Sequence, residues 1–130
     1  MNLALTLLPI TLGVARLPAG SPLPGWIDWN DPLVSVSRTE DEISIICPED
    51  RIPDGVTCEK GWRVFKVAGP IEISLTGIIF SLLTPLAEAG IPILTLSTYD
   101  TDYVLVRDGS VADAASALRR VAQVAPAEGT

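Results

Sequence analysis

Histidine is absent from the 130-residue chain. With it go the commonest general base, the commonest metal ligand and the side chain that titrates near neutral pH. Positive charge is scarce too: 9 Lys and Arg stand against 16 Asp and Glu, for a net charge of −7. Phosphate backbones and anionic lipid surfaces demand the opposite balance, so neither nucleic acid nor a membrane is expected as a partner. Cysteine is limited to Cys47 and Cys58, a spacing that fits neither a CxxC redox site nor a zinc cluster. These read as two reduced thiols of a cytoplasmic protein, and no metal or cofactor is expected. Long apolar runs are missing as well. The opening stretch from Leu3 to Ala15 has no cation before it and is interrupted by Pro9, so it reads as a buried strand and its continuation rather than a signal peptide.

What is present is apolar content, 48% of residues with a mean hydropathy of +0.38, enough to build a core in one domain or two very small ones. The chain also repeats itself. Leu33 to Ile46 lies over Ile93 to Val106 without a gap, setting Ser37 on Ser97 and Glu42 on Asp102, and the same offset of sixty sets Leu3 to Leu8 over Arg63 to Ala68.

The second copy has the clearer elements. Residues 63–68 alternate as a strand and stop at Gly69-Pro70. Leu75, Ile78, Ile79, Leu82, Leu83 and Leu86 then form an apolar stripe at helical period, with Ser74 or Thr76 placed to cap it and Gly90 and Pro92 to end it. Pro85 inside this stripe predicts a kink or break between Ser81 and Pro85. Residues 93–98 and 102–107 read as an antiparallel hairpin around Tyr99-Asp100-Thr101. Ser110 and Asp113 have capping-box spacing, and Val111, Ala114, Ala115, Leu118 and Val121 mark one face of a closing helix.

This copy is β-α-β-β-α, one strand short of a split βαβ, ferredoxin-like unit, and the missing strand can come from the other copy. The first copy keeps its middle hairpin. Its helices are replaced by Pro-bearing stretches at 18–32 and 48–61, expected to be turns, loops or single helical turns, in which Trp26 and Trp29 plug core or interface surface. The expected fold is α+β: tandem βαββαβ units at 1–61 and 62–130, folding together by strand exchange, with an antiparallel sheet and helices on one face. Open sheet edges of this kind are commonly covered by pairing, so a homodimer is expected.

Two places carry binding chemistry. Free N–H groups and the positive end of the dipole at Thr76, Gly77 and Ile78 suit a carboxylate, and Gly77 permits close approach. Glu72, Asp100 and Asp102 fall at strand and helix ends that this topology gathers at one sheet edge, which suits an amine or a cationic group. Asp100 and Thr101 also serve simply as turn formers, and Ser97 and Thr98 as cross-strand partners. Catalysis has little support: without histidine no nucleophile has its usual base, and no GxSxG, phosphate loop or metal spacing occurs. A non-enzymatic role is expected, as a binding protein or as a ligand-free oligomerisation module.

Ser97-Thr98-Tyr99-Asp100-Thr101-Asp102-Tyr103-Val104-Leu105-Val106, preceded by Pro85-Leu86-Ala87-Glu88-Ala89-Gly90-Ile91, resembles the ACT domain subclass of the CASTOR-type arginine sensors and small bacterial ACT proteins. The strong part of the resemblance spans residues 62–124, with a looser match at Ser37 to Ile46. It implies tandem ACT folds that bind a free amino acid or related small metabolite at an ACT to ACT interface and report it to a regulated protein partner. Carried over position by position, it implies Gly77 and Ile78 at the helix start, and Thr98, Tyr99 and Asp102 in the turn. The arginine sensors place an acidic residue two positions before the matched glycine; Leu75 stands there in this chain, so the resemblance does not extend to arginine specificity.

Overall fold

A computed structural model describes residues 3–68 and 77–126. In chain order the elements are β1 (Leu3–Pro18), β2 (Ser35–Arg38), β3 (Glu42–Pro48), β4 (Thr57–Val67), α1 (Ile78–Glu88), β5 (Ile93–Ser97), β6 (Asp102–Arg107), α2 (Val111–Leu118) and β7 (Ala122–Ala125). They divide into two compact units. One joins Met1–Pro9 to Arg63–Thr130; the other is Ile10–Trp62. Strands β1 and β4 each contribute one part to each unit.

In the first unit the strand order is β7-β1-β4-β6-β5. Strand β1 lies beside β4, joined where the Ala68 N–H donates to the Ala4 carbonyl at 2.7 Å. The core lies on one face of this sheet. Leu5, Phe65, Val67, Val104 and Val106 point into it, and Ile78, Leu82 and Leu86 of α1 and Ala114, Ala115 and Leu118 of α2 close it. This period-two strand face met by two helical stripes is how the apolar content becomes a core.

Three local expectations are corrected. The second copy is not one strand short. Residues 122–125 form β7, which pairs parallel with Leu3–Thr6, so the sheet is antiparallel except along this edge. The helical face counted through Val121 hid it: α2 stops at Leu118, and the Val121 N–H turns back to the Leu118 carbonyl, leaving Val121 exposed. Second, α1 does not break between Ser81 and Pro85: it continues as helix to Glu88, with Pro85 buried. Third, Ser110 makes no side-chain cap; a single 3-10 turn, Asp108–Ser110, leads into α2 instead. The expected α1 caps, Ser74 and Thr76, lie outside the described residues, and the residue at the N-cap position is Gly77. At its other end α1 closes as anticipated. Gly90 has φ 73°, its N–H bonds the Ala87 carbonyl, and the Ile91 N–H bonds the Leu86 carbonyl, a Schellman pair.

The second unit has no α-helix among its described residues. Residues 19–32 are turns and loop, and 48–61 contains a single 3-10 turn, Glu49–Arg51, before β4 begins early, at Thr57. The order β2-β3-β1 is antiparallel throughout. Ala15, Ile43, Ile45, Cys47 and Ile52 form its core, with Trp26 and Ile27 packed against it. Trp26 therefore plugs core as expected, whereas Trp29 is 64% exposed and is not placed on that core.

Candidate ligand site at the hairpin tip and helix start

The β5–β6 hairpin pairs Ser97 with Asp102, and its tip is closed by Thr98 and Thr101 around a two-residue Tyr99-Asp100 loop. The Thr98 N–H and hydroxyl both donate to the Thr101 carbonyl, at 2.9 and 3.2 Å. The β2–β3 hairpin closes the same way, the Thr39 N–H and hydroxyl donating to the Glu42 carbonyl at 2.9 and 3.3 Å. Strand pairing therefore equates Thr39 with Thr98, one residue less than the gapless sequence offset that set Ser37 on Ser97.

Each candidate side chain has a distinct setting. Tyr99 projects from the tip, 84% exposed, and Asp100 beside it is exposed. Asp102 is half-buried; its Oδ1 accepts from the Ser97 hydroxyl at 2.6 Å, which fixes the carboxylate while leaving lone pairs for a further donor. The Thr98 hydroxyl spends its proton within the turn and retains acceptor capacity. Gly77 takes φ 87°, a left-handed conformation that suits glycine, and provides no side-chain cap. The first intrahelical bond runs from the Ser81 N–H to the Gly77 carbonyl at 2.8 Å, so the amides of Ile78, Ile79 and Phe80 have no acceptor within the helix. The Ile78 side chain is core, so only its backbone faces a ligand role. Glu72 and Thr76 lie outside the described residues.

Sequence reasoning gave Thr101 only a turn-forming role. It is 5% exposed, the buried polar residue of the described chain, and its hydroxyl donates to the Val67 carbonyl at 2.6 Å. This bond ties the hairpin tip to the end of β4, the strand that leads by way of residues 69–76 to Gly77. The legible signal was a threonine at the entry of a strand whose next apolar residues are buried. Asp102, Asp100 and Tyr99 are thus held at the same sheet end from which the chain departs for α1. No group of three or more His, Cys, Asp or Glu among the described residues is placed to hold a metal ion. No described helix is long and apolar enough to cross a membrane.

Residues 57–120 match the family model of the ACT domain, and residues 11–55 match a separate model of an N-terminal domain. The chain is 40% identical over 55 residues to the cytosolic arginine sensor for mTORC1 subunit 1 of Bos taurus, a match covering 38% of this chain and 17% of that protein. The crystal structure of protein Atu0741 from Agrobacterium tumefaciens aligns over 97% of this chain and 94% of its own, with 38% identity and a TM-score of 0.89. The aspartate kinase of Clostridium acetobutylicum, described as an allosteric enzyme, aligns over 91% of this chain and 34% of its own at 11% identity and a TM-score of 0.64, a likeness of fold alone. With the hairpin, the two helices and the strand order in place, residues 57–120 form an ACT domain, and the chain is similar to the arginine sensor over the 55 matched residues.

Proposed function

We propose that this ACT-domain protein is a non-enzymatic, cytosolic sensor that binds a free amino acid or a closely related metabolite at the β5–β6 tip and the start of α1. The observation that carries the reading is the tip itself. A half-buried carboxylate is fixed by Ser97, an exposed aromatic ring stands beside it, and Thr101 pins both to the end of β4. A fixed carboxylate recognises an ammonium group without paying to order itself first, and charge-assisted hydrogen bonds are about twice as strong as neutral ones. The amides of Ile78, Ile79 and Phe80, following Gly77 at the positive end of the α1 dipole, suit the ligand's carboxylate. Two copies pairing along their sheets would transmit occupancy to a regulated protein, as the family's regulatory role suggests.

Calorimetric titration of the full chain with each of the twenty amino acids tests this. At least one is expected to bind saturably, and Asp102→Asn, which keeps the shape and removes the charge, is expected to weaken it about tenfold, a loss of about 1.4 kcal/mol. Equal affinity in the folded variant would remove Asp102 from the site.

A further inference from the structure

The second unit carries a groove of about 540 Å3 that the sensor reading does not use, lined by Trp26, Trp29, Asp28, Asp50 and Arg51 with the backbone around Gly25 and Asn30. The volume lies within the range of small-ligand sites, roughly 300–1,000 Å3. Its two tryptophans are set differently. Trp26 is anchored on the core of the unit, whereas Trp29 leaves 64% of its surface open. Yet it is not carried on a loose loop. The Asn30 N–H donates to Asp28 Oδ1 at 2.9 Å, the Asp31 N–H donates to the Asp28 carbonyl at 3.1 Å, and Arg51 clamps the turn from outside. Arg51 Nε and Nη2 donate to the two oxygens of Asp31 at 2.9 and 3.0 Å, and Nη2 also donates to Asp28 at 3.2 Å.

The charge around the groove selects its occupant. Three carboxylates, Asp28, Asp31 and Asp50, stand near one guanidinium, and that guanidinium is already engaged by two of them. An anion would meet net negative charge and a donor already in use. A cation would meet unneutralised carboxylate and indole faces, whose quadrupole attracts positive charge more strongly than any other side chain's ring. We infer that this groove is a second binding site, taking the alkylammonium or guanidinium head of an organic cation between Trp29, Trp26 and the carboxylates of Asp28 and Asp50. It lies wholly in Ile10–Trp62 and stands independently of the hairpin reading.

The test follows the three tryptophan indole N–H signals of the full chain by NMR, assigned with single Trp→Phe variants. Choline is the probe, and 3,3-dimethylbutan-1-ol, its neutral isostere, the control. Choline is expected to shift the Trp26 and Trp29 signals saturably and to leave Trp62 in place, with the alcohol at least about tenfold weaker and 0.5 M salt reducing the choline affinity several-fold. Trp29→Ala, at an exposed position, should keep the fold by circular dichroism and abolish the Trp26 shift. Butylammonium and an acetylated lysine amide then distinguish the source. Tighter binding of the first assigns a free metabolite, and of the second a lysine side chain of a partner protein. No saturable shift, equal binding of the alcohol, or an unaltered response in Trp29→Ala would overturn the inference.

Discussion

Thr101 shows how one hydroxyl can hold a functional loop. It is buried, and its 2.6 Å bond satisfies the carbonyl with which β4 ends. Thr101→Val keeps the shape but leaves that carbonyl facing an apolar methyl, so a loss of about 1–2 kcal/mol is expected in urea unfolding. An unchanged midpoint would mean the tip is not anchored there. Cys47 makes a second residue-scale case. Burial, then the fields of Asp31 and Asp50, push its thiol up to about 11. An unfolded thiol titrates near 8.5, so the folded chain holds its proton more tightly. That advantage is fully present below about pH 8.5 and is lost as pH rises towards 11, about 2–3 kcal/mol in all. Stability measured from pH 8 to 11 should therefore fall more steeply in the natural chain than in Cys47→Ala, and parallel curves would contradict this.

At the scale of elements, Pro85 is the clearest conflict between local and global preference. It removes the N–H that would bond the Ser81 carbonyl, a cost of about 3 kcal/mol in a helix interior, yet its ring is buried and α1 continues to Glu88. Pro85→Ala restores the bond and gives up part of the ring's packing, so a net gain of about 1 kcal/mol is expected in the same unfolding measurement; a loss would show that packing outweighs the bond. The same element shows what a sequence can disclose. The stripe Ile78, Leu82, Leu86 is periodic because it faces one core, and Gly90 marks the stop because it takes a left-handed turn; both were legible. The hairpins were legible for the same reason, their β-branched and leucine runs being separated by polar turns. Strand β7 was not. Four residues carry too little periodicity, and what makes Ala122–Ala125 a strand is the edge of β1, 119 residues away in the chain and invisible locally. Likewise Asp102 was legible as an acidic turn residue, but its fixing by Ser97 depends on hairpin register, and the one-residue difference between the hairpins shows that a gapless repeat does not set register.

For the whole molecule, the net charge of −7 has acquired locations. Asp100 and Asp102 sit at the tip of one unit, and Asp28, Asp31 and Asp50 line or flank the groove of the other. Acidity that first only excluded nucleic acid now frames two sites of opposite demand: an amino acid needs both a carboxylate and helix amides, whereas an organic cation needs carboxylate and aromatic face alone. The most direct test of the sensor reading is an amide NMR map of the full chain titrated with whichever amino acid binds in calorimetry. The account predicts saturable shifts concentrated at Thr98–Asp102 and Gly77–Phe80, with Asp28–Asp31 unaffected; shifts confined to Ile10–Trp62, or a folded chain that none of the twenty amino acids perturbs, would contradict it.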